Sequence, residues 1–280
     1  MRRGEVRCLS AGGFHRMAWV EWGPQHGERV LVCVHGVARN GRDFDVLAAH
    51  LAEEGWRVVC PDVVGRGVSG RLADPKGYAM PQYLADMTVL LAAIGAKEVD
   101  WLGTSMGGLI GLMMAAQPDT PVQRLILNDI GPFVPKSALA RIAGYVGRPE
   151  KFASWEEAST YFRRIYAPWG NLSDLEWAHL VRHSFKELPE GGVTHHFDPA
   201  MAEGMRAAEP KDVDLWRVWD RIRTPTLLLR GESSDILPAE VAAEMTQRGP
   251  KPILLTFPEC GHAPSLMHAD QINAIRGWLG

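Results

Sequence analysis

Short, continuous apolar runs recur along the chain: Arg29–Val34 (RVLVCV), Arg57–Cys60 (RVVC), Val99–Leu102 (VDWL), Arg124–Leu127 (RLIL), Thr226–Leu229 (TLLL) and Ile253–Phe257 (ILLTF). They are rich in Val, Ile and Leu and do not alternate with polar residues, which is the pattern of strands buried on both faces. Two weaker runs, Val6–Leu9 and Met17–Glu21, predict a leading hairpin. Segments of helical period separate the runs at Asp43–Glu54, Met80–Ile94, Met106–Gln117, Pro238–Gln247 and Pro264–Leu279. Strand and helix in alternation predict an α/β fold, with a mainly parallel, eight-stranded twisted sheet and helices on both of its faces.

The rhythm breaks between Phe133 and Leu215. No strong β run occurs there, and Trp155, Tyr161, Phe162, Tyr166, Trp169, Trp177, Phe185 and Phe197 crowd the segment with aromatic side chains. The pattern predicts a helical cap over residues 133–215, inserted into a core made of residues 1–132 and 216–280.

Composition narrows the functional classes. The chain has 280 residues, 46% of them hydrophobic, enough for one large core. A net charge of −3 without a basic cluster argues against a nucleic-acid partner. No stretch approaches the ~18 consecutive apolar residues that span a bilayer. Two arginines near the start are not followed by an apolar segment of leader length. The expectation is a soluble, cytoplasmic protein with no membrane partner. Cys8, Cys33, Cys60 and Cys260 lack CxxC spacing and are expected as buried, reduced thiols.

The residues that follow each predicted strand carry the chemistry. His35 and Gly36 follow the first long run, Asp62 the second, Ser105 the third, Asn128 and Asp129 the fourth, Asp235 the fifth and His262 the sixth. In a parallel sheet all of these lie along the carboxyl edge, where open α/β sheets bind ligands. Ser105 is the centre of Gly103-Thr104-Ser105-Met106-Gly107, with a strand directly before it and a Gly-rich helix start directly after. A sharp strand-to-helix turn of this kind exposes a nucleophilic hydroxyl, and its close approach leaves room only for glycine two residues either side. A serine needs a base. His262, after the last strand, is the candidate, whereas His35 lies in a loop better placed to shape an oxyanion site. Asp235 completes the order Ser, Asp, His and is the expected orienting carboxylate. Asp129 is the rival, able to reach the same imidazole from the strand after the nucleophile helix.

With these motifs, the chain resembles the α/β-hydrolase fold superfamily over nearly its whole length, and within it the small, cap-bearing bacterial esterases and ring-cleavage hydrolases. The matching pieces are His35-Gly36, the stretch from Asp62 to Ser69 (DVVGRGVS), Gly-Thr-Ser-Met-Gly-Gly at the elbow, Ser234-Asp235-Ile236-Leu237 and Gly261-His262. The resemblance implies an oxyanion hole formed by the backbone N–H groups of Val37 and Met106. Serine at the elbow argues against the dehalogenases and epoxide hydrolases of this fold, which need a carboxylate nucleophile.

The expectation is therefore a serine hydrolase that cleaves a small carboxylic ester through an acyl-enzyme. Its partner would be a small-molecule acyl substrate, bound by a monomer or a homodimer, and it would use neither metal nor organic cofactor. One alternative is hydrolysis of a carbon–carbon bond in ring-cleavage diketones, for which Arg163, Arg164, Arg182 or Arg206 would anchor an acidic tail. Another is a non-catalytic binding protein on the same fold. His179 and His183 share i, i+4 spacing, but no acid stands at a diagnostic metal-ligand distance in sequence, so they are expected on a packed or solvated cap helix.

Overall fold

A computed structural model describes residues 1–146, 150–203 and 211–280. Eight strands form one sheet in the order β1-β2-β4-β3-β5-β6-β12-β13. β1 (Arg2–Ser10) and β2 (Gly13–Trp22) make the leading hairpin. β2 runs antiparallel to β4 (Arg57–Asp62). From β4 onward every neighbour is parallel: β3 (Val30–Val34), β5 (Val99–Thr104), β6 (Val122–Asn128), β12 (Thr226–Gly231) and β13 (Ile253–Phe257).

The unbroken apolar runs serve two cores at once. In β3, Val30, Val32 and Val34 face one cluster, while Leu31 and Cys33 face the other. Leu125 and Leu127 of β6 point one way and Ile126 the other; in β12, Leu228 opposes Leu227 and Leu229. Because successive side chains leave opposite faces of a strand, a strand covered on both sides has no polar position to offer. α2 (Met80–Ile94) and α3 (Met106–Ala115) cover one face, and α1 (Asp45–Glu53) lies on the other with the last helix, Ala269–Leu279. All four cysteines are buried and free.

Two features differ from the pattern-based expectation. The last helix begins at Ala269 and not at Pro264. The intervening residues are held by other partners: Asn128 Nδ2 donates to the Pro264 carbonyl at 2.9 Å, and Leu266 N–H donates to Gln271 Oε1 at 2.7 Å. The segment between β6 and β12 is also not purely helical. It contains α4 (Lys136–Ala143), α5 (Trp155–Tyr166) and α6 (Asp174–Ser184), but β8 (Lys151–Phe152), β10 (Val193–His195) and β9 (Phe185–Glu187) add a three-stranded antiparallel sheet. Strands of two or three residues are too short to show a period of two. The turn before β10 depends on Gly191 and Gly192, both at positive φ, where other residues are strained.

α6 starts with a capping box, Ser173 and Glu176 each satisfying the other's backbone N–H. Phe152, Phe162, Trp169, Trp177 and Phe185 give this segment an aromatic core of its own. β7 (Phe133–Val134) pairs with β11 (Val213–Asp214), so the chain enters and leaves the segment at one place. Among the described residues, no helix is long and apolar enough to cross a membrane.

Candidate active site

Ser105 joins β5 to α3 at φ 55° and ψ −119°, a backbone conformation that few residues other than glycine adopt. Its neighbours over-determine it. Ser105 N–H donates to the Asn128 carbonyl at 3.1 Å, and its own carbonyl accepts from Gly108 and Leu109 at 2.9 and 3.1 Å. The flanking glycines are sterically required. A Cβ on Gly103 would overlap the backbone of Gly107 and Gly108, and one on Gly107 would overlap the Val34 carbonyl. The sequence motif and its local geometry therefore agree.

His262 Nε2 lies 3.0 Å from Ser105 Oγ, and its Nδ1 lies 2.7 Å from Asp129 Oδ2. An ionised carboxylate only accepts, so Nδ1 carries the proton and Nε2 is left to accept from the serine hydroxyl. Asp129 is fully buried and accepts two further hydrogen bonds, from Gly231 N–H at 2.8 Å and Ser234 Oγ–H at 2.5 Å.

The expected pairing of His262 with Asp235 is not made. Asp235 accepts from Arg141 Nε at 2.6 Å and Nη2 at 2.9 Å, and its side chain is 48% exposed. The reason lies in the order of the sheet. β6 stands beside β5, so Asp129, directly after β6 and at a positive φ of 56°, emerges next to the Ser105 turn. In the turn after β12 the inward place is taken by Ser234, which serves Asp129, while Asp235 faces out.

His35 is locked in a different task. Its Nδ1–H donates to the Gly36 carbonyl at 2.7 Å, and Val63 N–H donates to Nε2 at 3.0 Å. Complete burial pulls its pKa down to about 3, and the charges of Arg66 and Arg39 push the same way. With both ring nitrogens occupied it is no base for Ser105. It clamps the turn that carries Val37, and Arg66 Nε holds the Val37 carbonyl from the far side at 2.9 Å.

Asn128, read from sequence only as a polar residue at a strand end, ties three pieces together. Its carbonyl holds Ser105, while Nδ2 reaches Thr104 Oγ1 at 3.0 Å and the Pro264 carbonyl in the His262 loop. An amide directly after three apolar strand residues, Leu125–Leu127, was the available signal.

A cavity of about 40 Å³ opens at Ser105 and His262, walled by Val37 from the core and by Ile142, Tyr145, Ile165, Tyr166 and Trp169 from the segment after β6. Of the arginines expected as anchors, none that lies among the described residues lines it. Arg163 pairs with Asp174 and lies over Trp177, Arg164 lies over Tyr161, Arg182 lies over Trp155, and Arg206 falls outside the described residues. Among the described residues, Arg39 and Arg141 are the arginines on the wall.

The His179 and His183 rings do meet an acid, Asp45, and the three bring donor atoms within 4.8 Å of one another. Arg42 Nε, however, already donates to Asp45 Oδ2 at 2.7 Å, placing a fixed cation where a metal ion would need the carboxylate's charge. Burial pulls the His183 pKa down to about 3. A second cluster, Cys8, His15 and Asp86, is buried under the leading hairpin, with His15 Nε2 2.9 Å from Asp86 Oδ2.

A strand-turn-helix serine, an imidazole from the last sheet loop and a buried acid stand together at one sheet edge. A family profile of the alpha/beta hydrolase fold matches residues 29–269, and the chain belongs to that family. It is 43% identical to a 3-hydroxybutyrate-oligomer hydrolase from Cupriavidus necator over 97% of this chain and 95% of that protein. Its fold superposes on a chain from Rickettsia typhi with a TM-score of 0.94, at 29% identity, covering 100% of this chain and 99% of the other. An alpha/beta hydrolase from Novosphingobium aromaticivorans gives 0.88 at 34% identity, covering 99% and 98%. The protein is a hydrolase.

Proposed function

We propose that the protein is a serine esterase that hydrolyses short esters of hydroxyacids, with Ser105 as nucleophile, His262 as base and Asp129 as orienting acid. The observation that carries this reading is the pair of contacts on one imidazole, 3.0 Å to the Ser105 hydroxyl and 2.7 Å to the buried Asp129 carboxylate. The first is within reach for proton transfer from the serine, and the second is a hydrogen bond that orients the ring.

In the first half-reaction Ser105 Oγ attacks the ester carbonyl carbon as its proton passes to His262 Nε2. The backbone N–H groups of Val37 and Met106 receive the developing oxyanion, each worth about 3–4 kcal/mol in a comparable site. The C–O bond to the leaving alcohol breaks as His262 returns the proton to that oxygen. Water, deprotonated by the same imidazole, then cleaves the acyl-enzyme. No step calls on a metal or an organic cofactor.

Residues 133–215 act in this reading as a cap, since they supply Ile142, Tyr145, Ile165, Tyr166 and Trp169 to the cavity wall. The small volume suits a short acyl group. The similarity to a hydrolase of 3-hydroxybutyrate oligomers supports an ester between two short hydroxyacids as the bond cleaved.

The test is Ser105→Ala, assayed on the 3-hydroxybutyrate dimer and on p-nitrophenyl butyrate. Turnover of both is expected to disappear, and a fluorophosphonate is expected to label Ser105 in the parent. Retention of more than a few per cent of activity, or labelling of another serine, would overturn the assignment.

A further inference from the structure

We propose that the guanidinium of Arg141, held by Asp235, forms a carboxylate-binding subsite beside Ser105 and selects esters whose leaving hydroxyacid carries an ionised carboxylate. This rests on the reading of Ser105 as nucleophile and adds to it a side chain and a substrate charge.

Among the described residues, the cavity wall at Ser105 carries two guanidinium groups and no carboxylate. The acids that pair with them, Asp43 and Asp235, both stand outside the lining. The two arginines are not equivalent. Arg39 is 5% exposed and fully engaged: Nε donates to Asp43 Oδ2 at 2.9 Å, Nη1 to Ser184 Oγ at 2.7 Å, and its plane lies over Phe162, Tyr166 and Trp169. It fastens the aromatic segment to the core. Arg141 is 42% exposed; its pairing with Asp235 engages Nε and Nη2, and its other side-chain partner is the hydroxyl of Tyr145, which lines the same wall.

An ion pair this exposed adds little to stability, typically under about 1 kcal/mol. What the bidentate fork does is fix the direction of a planar cation on the wall of the reaction cavity. Arginine presents paired N–H groups that match the geometry of a carboxylate, and a charge-assisted bond there is stronger than a neutral one. An uncharged ester offers this group only a neutral acceptor. An ester between two hydroxyacids offers an ionised one, because its alcohol half ends in a free carboxylate. Anchored on that side, an oligomer is shortened from its carboxyl end, one hydroxyacid at a time.

The experiment compares kcat/KM for the 3-hydroxybutyrate dimer and for its methyl ester, two substrates that share the scissile bond and differ in one charge. The wild type is expected to prefer the free carboxylate by about tenfold or more, the usual worth of a charge-assisted hydrogen bond. Arg141→Gln is expected to bring the ratio close to one, mainly through KM, and Arg141→Lys to restore part of it. A wild-type ratio near one, or a ratio that survives Arg141→Gln, would overturn the proposal. If Arg141→Gln loses its circular dichroism signature, Arg141→Lys alone decides: a point charge without the fork lowers the ratio, and an unchanged ratio overturns it. If the wild type cleaves neither ester, the esterase reading fails separately. The subsite is then judged by calorimetry, where tighter binding of the dimer than of its methyl ester supports it and equal binding ends it.

Discussion

The imidazole of His262 and the carboxylate of Asp129 meet at 2.7 Å across 133 residues of chain, inside a ring of donors that leaves the aspartate no contact with solvent. Asp235, the nearer candidate in sequence order, spends both oxygens on Arg141. The two aspartates therefore predict opposite kinetics. Asp129→Asn puts an amide where Nδ1–H needs an acceptor, favours the wrong tautomer and is expected to lower kcat by about 10⁴-fold. Asp235→Asn is expected to stay within about tenfold of wild type on p-nitrophenyl butyrate. Steady-state kinetics on both variants decide the matter, and a larger loss for Asp235→Asn would reverse the assignment.

The choice between those aspartates marks the limit of what was legible in the chain. The elbow is local: Gly103, Ser105 and Gly107 carry their own steric reason, and the strand and helix on either side are written in adjacent residues. The sheet is nearly as legible, because Val30–Val34 and Leu227–Leu229 have no polar face to misplace. Which acid turns toward His262 is settled by backbone details absent from any pattern, namely a positive φ at Asp129 and a serine that takes the inward place before Asp235. Arg141 was overlooked for a similar reason. Its partner lies 94 residues away, and it stands on a short helix, α4, whose packing the periodicity leaves open. The three small strands of the segment after β6 were invisible because each is only two or three residues long.

Asn128 offers a test of how the elbow and the histidine loop are joined. Asn128→Ala removes one donor that serves both the half-buried Thr104 Oγ1 and the buried Pro264 carbonyl, leaving both acceptors without it. The expected loss is about 1–3 kcal/mol of folding free energy, read as a lower urea midpoint with an unchanged slope. Activity is expected to fall further than this loss accounts for, because the His262 loop is released from the strand that leads to Ser105. A destabilised variant with wild-type kcat would show that the bond is structural only.

Gly103→Ala tests the steric reading of the elbow without touching a catalytic group. The added methyl would collide with backbone at Gly107 and Gly108, which no side-chain rotation relieves. Overpacking of this kind costs about 1–3 kcal/mol, and more where the backbone itself must move. The variant is expected to melt below the parent and to lose fluorophosphonate labelling even where it remains folded. Gly277→Ala, in the last helix with open space around it, is the matched control and is expected to melt at or above the parent.

Stability is expected to fall in mild acid, and the buried histidines set the direction. Burial lowers the pKa of His35 and His183 to about 3 and that of His195 to about 4. Each ring is held neutral in the fold but takes up a proton near pH 6.5 once unfolded. Their contribution is complete above about pH 6.5 and is lost as pH drops toward the folded values. Asp62 works the other way. Burial raises its pKa to about 6, so the fold favours its protonated form and gains a little as pH falls from 6 toward 4. Burial also raises the pKa of Asp86 and lowers that of His196; four imidazoles outweigh two carboxyls, and urea midpoints are expected to decline steadily from pH 7 to pH 5. His195 is the cleanest to isolate, since its ring lies between Phe185 and Phe197, with centroids at 5.0 and 4.7 Å. Its nearest acid oxygen, on Glu150, is 3.8 Å away, too distant to hold the ring charged against its burial. His195→Phe keeps the stack and removes the titration, and is expected to recover about 2 kcal/mol of the loss at pH 5. An acid slope identical to that of the parent would mean that this ring is already protonated in the fold.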